Sequence, residues 1–163
     1  MRAGADEASF EAMYRTELAS MVALAATLTG SPHTGADLAN EAMLRAYKQW
    51  AKVGVMERPG AWVRRVVINL AHDSHRRTAR QIRGMERLRS ERPPGGQPSS
   101  QDFWVAVREL PERQRAAVVL RYVEDMPIDE IAAVLDVSDG TVRSSLFAAR
   151  KTLATTLGIV EDI

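Results

Sequence analysis

The sequence contains no cysteine, which excludes disulfides, zinc–thiolate sites and thiol nucleophiles. Long apolar runs are also missing. The longest uncharged apolar stretch, residues 18–28, contains a serine and a threonine and is too short to span a bilayer. The N-terminal residues lack the apolar core of a signal peptide. We therefore expect a cytoplasmic protein without membrane insertion.

The alternation of apolar and polar residues that is typical of strands is scarce. Apolar residues instead recur at spacings of three and four. This pattern predicts an all-α fold, in which Ser9 and Ser100 are candidate N-caps and Pro59 and Pro111 begin helices. The predicted helices cover residues 9–28, 34–52, 59–83, 101–109, 111–124, 127–135 and 140–157.

A stretch rich in proline, glycine and serine, residues 91–100, separates the first three predicted helices from the last four. Such a composition predicts a flexible linker. It divides the chain into two small helical domains, residues 1–90 and residues 101–163. We find no internal repeat.

The net charge of +1 is unevenly distributed. Residues 58–92 carry 10 basic and 3 acidic side chains, whereas residues 1–57 and 93–163 are both net negative. A concentrated basic segment in a near-neutral chain is typical of a polyanion-binding surface, although a solvated helix face is an equally common explanation.

The C-terminal domain carries the pattern of a helix-turn-helix. Ala132 provides the small residue where two helices approach, Asp136 tolerates the positive φ of the turn, and Val142 faces back into the core. Ser138 is a good N-cap for the last helix. A plain helical hairpin is the alternative, but it would seldom meet all these requirements. A helical wheel then turns Ser144, Phe147, Ala148 and Lys151 outward, with Thr141 and Arg143 flanking them. The predicted contacts with DNA bases and phosphates are Thr141, Arg143, Ser144, Phe147, Arg150 and Lys151.

The third predicted helix has one apolar face and one basic face. The donors that share the basic face are Arg65, Asn69, His72, Arg76, Arg80 and Arg83. Arginine suits phosphate because its planar fork donates two hydrogen bonds. Trp62, at the edge of this face, fits either the core, which we favour, or a platform on which a base stacks. His72 and His75 lack the partners that a metal site requires, so we expect no metal.

Four segments in order resemble the extracytoplasmic function (ECF) sigma factors, which keep only domains 2 and 4 of the sigma-70 family. Residues 37–50 resemble region 2.2, residues 59–77 resemble regions 2.3 and 2.4, and residues 110–122 with the helix-turn-helix resemble region 4. The resemblance covers the chain from about Phe10 to Leu153.

The resemblance implies a function in transcription initiation. Domain 2 would bind the β′ clamp helices of core RNA polymerase and capture a flipped base of the minus-ten element with the loop 51–58, and domain 4 would read the minus-thirty-five element. The implied polymerase contacts are Asp37, Asn40, Glu41, Leu44 and Arg45. The implied minus-ten contacts are Lys52, Arg58, Trp62, Arg65, Asn69, His72, Arg76, Arg77 and Arg80. Further implied partners are the β flap and, as in many family members, an anti-sigma factor.

Two departures from the family pattern concern the helix-turn-helix. In its turn, Asp136 stands in place of a common glycine, which should cost little. Ser145 and Ala148 replace two frequent arginines, which predicts weak or unusual minus-thirty-five recognition. The alternatives are a helix-turn-helix regulator that is not a polymerase subunit, which has no need of the segment 37–50, and an adaptor or anti-sigma domain, which leaves the arginine row unexplained. We expect no catalytic residues and no cofactor, because polymerase performs the chemistry.

Overall fold

The computed structural model describes residues 2–82 and 96–159, and within them all regular structure is helical. The all-α prediction is therefore confirmed. The N-terminal half consists of α1 (Arg2–Thr29), α2 (Pro32–Lys48), α3 (Trp50–Val53) and α4 (Pro59–Ile82). The C-terminal half consists of α5 (Ser100–Arg108), α6 (Glu112–Tyr122), α7 (Ile128–Leu135) and α8 (Asp139–Leu157).

Several helix boundaries differ from their predicted positions. Ser9 lies inside α1, because the alanine- and acid-rich residues before it continue the helix. Ser31 caps α2 by accepting a hydrogen bond from the Thr34 backbone N–H, so this helix begins earlier than predicted. Ser99, and not Ser100, caps α5 in a reciprocal capping box with Asp102.

The N-terminal half depends on a close approach of α1 and α2, its most extensive helix pair. Gly35 lies at this crossing, where an added Cβ would come within 2.5 Å of the Ala26 backbone nitrogen. α4 packs against both helices and buries Val63, Val67 and Ala71. The apolar face that the sequence predicted for this helix is therefore the face that packs against α1 and α2.

The helix-turn-helix forms as the sequence predicts. Asp136 ends α7 in the left-handed conformation, with φ 56° and ψ 50°. Ser138 caps α8 by accepting a 3.1 Å hydrogen bond from the Thr141 backbone N–H. Ala132 and Val142 are both buried, so the steep crossing of α7 and α8 has the small residue and the inward apolar residue that it requires.

The two halves pack against each other and share one continuous hydrophobic core. α4 contacts α7, and α1 contacts α5 and α6. Of the predicted linker, residues 91–95 lie outside the described residues, as does Arg83, and residues 96–99 have no regular secondary structure. No helix among the described residues is long and apolar enough to cross a membrane.

Candidate nucleic-acid interface

One face of α2 is left uncovered by the rest of the chain. Its opposite face, which includes Ala39, Ala42 and Ala46, is fully buried. Side chains on the uncovered face are exposed or half-buried, and the five predicted polymerase contacts all belong to it: Asp37, Asn40, Glu41, Leu44 and Arg45. The structure brings these five residues together on one surface.

This face combines apolar and charged groups. Leu44 is 46% exposed, so part of its apolar side chain is in contact with solvent. Arg45 donates a 2.9 Å hydrogen bond to Glu41, one turn earlier. Tyr47, which the sequence analysis did not single out, is also half-exposed and packs edge-on against Phe10. An apolar patch beside oriented charges is typical of a protein-binding surface.

α4 presents its predicted basic residues in two different environments. Asn69, Arg77 and Arg80 are exposed. Arg65 and His72 are half-buried against the C-terminal half, and Arg76 is exposed but also pairs with that half. Arg65 donates hydrogen bonds of 2.8 Å to the Val134 and Ala133 carbonyl oxygens of α7. The predicted basic face is therefore only partly open to solvent.

Arg76 forms a bidentate ion pair with Glu112 at the start of α6. Its Nε and Nη2 donate to the two carboxylate oxygens over 2.6 and 2.7 Å. Hydrogen bonding from Arg76 is the main cause that lowers the pKa of Glu112. Two donors aligned with two acceptors give the geometry in which arginine also binds a phosphate.

Arg64 of α4 connects α1 with the segment that follows α6, and sequence reasoning missed it. It donates to Glu124, just after α6, over 2.6 Å and to Glu17 of α1 over 2.8 Å. Ser20 of α1 donates to the second oxygen of Glu124 over 2.9 Å. The Glu124 side chain is 6% exposed. The partners lie 47 and 60 residues from Arg64, so no local spacing could have indicated the network.

His72 lies in a polar cluster between α4 and α6. Burial is the main cause that lowers its pKa to about 4, and the positive charge of Arg115 acts in the same direction. Arg115 is only 2% exposed and donates to the Arg108 carbonyl oxygen over 2.8 Å. Glu112 opposes the shift, with an oxygen 3.7 Å from His72 Nδ1. The imidazole therefore faces the C-terminal half of the chain.

The loop between α3 and α4 borders an open cavity of about 460 Å³. Arg58 and Trp62 line it from the N-terminal half, and Asp129 and Ala133 of α7 line it from the other side. Trp62 is half-buried, so it both packs against the core and presents a surface to this cavity. Lys52 lies on α3 and is exposed.

The outward face of α8 agrees with the helical-wheel prediction. Arg143, Ser144 and Lys151 are exposed, Thr141 is half-buried, and the Phe147 side chain is 66% exposed. Arg150 is also exposed and donates a 3.0 Å hydrogen bond to the hydroxyl oxygen of Tyr122. The predicted reading residues therefore share a single accessible surface.

Ser145 requires a correction. The prediction that Ser145 replaces an arginine contact with DNA is wrong, because the Ser145 side chain is buried within the C-terminal half. Only Ala148, which is half-buried, lies where an arginine would reach the outward surface. Weak minus-thirty-five recognition is therefore predicted from Ala148 alone and not from two positions.

Comparisons with known proteins bear on this arrangement. The model of the family described as "Sigma-70 region 2" matches residues 13–81, and that of "Sigma-70, region 4" matches residues 100–153. The RNA polymerase sigma-E factor of Streptomyces antibioticus is 31% identical over 143 residues, covering 86% of this chain and 79% of that protein. The chain belongs to the sigma-70 family of RNA polymerase sigma factors.

Its relatives place this sigma factor in the ECF group. The ECF RNA polymerase sigma factor SigE of Mycolicibacterium smegmatis is 33% identical over 159 residues. The match covers 89% of this chain but only 60% of that protein. A solved structure of the sigma factor RpoE of Bartonella quintana, in complex with the anti-sigma factor NepR, has the same fold, with a TM-score of 0.68 at 21% identity. That likeness covers 92% of this chain and 97% of the other.

Proposed function

We propose that this sigma factor binds core RNA polymerase through the uncovered face of α2 and binds promoter DNA through α4 and α8. Residues 1–90 then act as domain 2, residues 101–163 as domain 4, and residues 91–100 as the linker between them. The observation that carries the proposal is that the five predicted polymerase contacts share the uncovered face of α2.

The α2 face supports the polymerase-binding role by its composition. Asp37 and Glu41 provide negative charge suited to a basic partner, and exposed Leu44 provides an apolar centre. The α4 face and the adjoining cavity provide arginines and Trp62, which suit the phosphates and the flipped base of a single strand. Phe147 on α8 is placed to contact a thymine methyl group or a sugar of duplex DNA.

The proposed role needs no catalytic residue from this chain, because core polymerase performs the chemistry. It also places the protein in the bacterial cytoplasm, where polymerase and promoter DNA are found. An anti-sigma factor that covers the polymerase-binding surface stays a predicted partner.

Binding to core polymerase in the absence of DNA tests the proposal, because a helix-turn-helix regulator that is not a polymerase subunit has no such affinity. Leu44→Asp should weaken this binding at least about tenfold, since it places a charge at the centre of the α2 face. Val105→Asp is a matched control, because Val105 on α5 is 45% exposed and lies outside the proposed surface.

Affinities for purified core polymerase can be measured by surface plasmon resonance, with thermal unfolding showing that both variants remain folded. Equal loss of binding in both variants would argue against the α2 face. A wild-type chain that binds duplex DNA but not core polymerase would favour the regulator instead.

A further inference from the structure

Tyr122, the last residue of α6, lies beside the outward face of α8. Its side chain is 52% exposed, and its hydroxyl oxygen accepts the 3.0 Å hydrogen bond from Arg150 Nη2. The two residues are 28 positions apart in the chain, so this bond connects two packed helices and not two sequence neighbours. The DNA contacts proposed above do not include Tyr122.

The hydroxyl of Tyr122 is a well-anchored acceptor. α6 buries six consecutive residues, 115–120, and packs against α8. A tyrosine side chain has only two torsions, so its ring loses little conformational freedom when it is fixed in place. The rigid end of α6 therefore holds an oxygen atom at the edge of the surface that we propose for duplex DNA.

Arg150 occupies the flank of α8 that faces the end of α6. Arg143 is seven positions earlier, so it lies on the same flank, about 10 Å away along the helix axis. With Lys151, these two arginines are the basic side chains of α8. Phosphate binding by this helix therefore depends on few groups, and the order of each of them matters.

The bond to Tyr122 changes what Arg150 loses on binding. A long arginine side chain gives up conformational freedom when it contacts a phosphate, and this loss opposes binding. A guanidinium that is already held in the free chain loses less. Arginine has five N–H donors, so a hydrogen bond to Tyr122 is compatible with a phosphate contact by the same side chain.

We propose that Tyr122 is a positioning residue for DNA binding, which holds the Arg150 guanidinium in place for a backbone phosphate of the promoter duplex. This inference rests on the DNA-binding role proposed for α8. It assigns to α6, through its last residue, a part in DNA binding.

The test removes the hydroxyl and keeps the ring. Tyr122→Phe deletes only the acceptor of the Arg150 bond. Tyr14→Phe is the control for loss of a tyrosine hydroxyl, because Tyr14 is half-buried on α1, outside every proposed contact surface. Arg150→Ala, alone and combined with Tyr122→Phe, completes a double-mutant cycle.

The probe is a short fluorescein-labelled duplex of mixed sequence, because phosphate contacts do not depend on sequence. Affinities are measured by fluorescence anisotropy over a range of salt concentrations, and thermal unfolding shows that each variant is folded.

We expect Tyr122→Phe to weaken duplex binding about threefold and Tyr14→Phe to leave it unchanged. Tyr122→Phe should leave the slope of log affinity against log salt concentration as it is, because no charge is removed. Arg150→Ala should weaken binding further and lower that slope by about one unit. In the Arg150→Ala background, Tyr122→Phe should have no additional effect.

Three results would overturn the inference. Wild-type affinity in Tyr122→Phe, with a loss in Arg150→Ala, would show that Arg150 needs no positioning, and the proposed role of α8 would stand. A further loss when Tyr122→Phe is added to Arg150→Ala would show that Tyr122 acts on DNA without Arg150. An unchanged affinity and slope in Arg150→Ala would contradict the phosphate contact itself, and the positioning role is then wrong with it.

Discussion

Acid should weaken the packing between the two halves, because His72 is buried between them in its neutral form. Its pKa is lowered from 6.5 to about 4, first by burial and then by Arg115. The charged groups around it are Arg115 and Glu112 of α6 and Arg76 of α4, and the titratable His75 of α4 lies nearby. Unfolding exposes the imidazole. Between pH 6.5 and about 4, His72 is therefore protonated in the unfolded chain and neutral in the folded chain.

The magnitude follows from the size of this shift. The contribution of His72 to the free energy of unfolding is fully present above pH 6.5 and is lost progressively between pH 6.5 and about 4. Between pH 7.5 and 5.5 the loss is about 1.3 kcal/mol. The pKa of His75 is also lowered, chiefly by burial, so its contribution has the same sign.

Two measurements check the reasoning. An NMR titration of the imidazole of His72 should give a pKa well below 6.5, and a value at or above 6 would refute the argument. In urea denaturation, the free energy of unfolding should fall by about 1 kcal/mol less in His72→Gln than in the wild type between pH 7.5 and 5.5. His33→Gln, at a position whose side chain is 91% exposed, is the control for loss of an imidazole.

Four substitutions test the fold and the reading helix. Gly35→Ala should lower the free energy of unfolding by about 2 kcal/mol in urea denaturation, because α1 leaves no room for a methyl group, and a neutral result would contradict the close approach. Ser145→Arg should lower the free energy of unfolding by about 2–4 kcal/mol because the side chain is buried. Ala148→Arg should leave the free energy of unfolding unchanged. It should also steepen the slope of log affinity for promoter duplex against log salt concentration by about one unit. If Ser145→Arg instead kept its stability in thermal unfolding and steepened the salt dependence, Ser145 would belong to the DNA-binding face. Asp136→Gly should raise the free energy of unfolding by about 0.5–1 kcal/mol by relieving the positive φ, and a loss of stability would mean that the aspartate side chain has a structural role.

Local features of the fold could be predicted because their causes are local. Ser138 caps the helix that it precedes, Asp136 occupies a turn that few residues tolerate, and Val142 follows helical spacing. Helical spacing likewise predicted the outward face of α8, whereas the polymerase contacts on α2 came from the resemblance to the ECF sigma factors. It misjudged Ser9, because capping propensity competes with the helix-forming residues before it.

Long-range contacts were beyond this reasoning. Arg65 and Arg76 were predicted to face DNA, and nothing in their spacing indicated that α7 and Glu112 would pair with them. Glu112 lies 36 residues from Arg76, and Glu124 lies 60 residues from Arg64. Residues adapted to bind phosphate also suit carboxylates and helix carbonyls, so the sequence pattern alone does not distinguish the two partners.

Transcription by purified core polymerase tests the central claim most directly. The chain is added to core polymerase with a library of genomic fragments from the source bacterium, and the run-off transcripts are sequenced. We predict transcripts that depend on the added chain and share a two-part motif upstream of their start sites. Transcripts that are the same with and without the chain would contradict its assignment as a promoter-directing subunit.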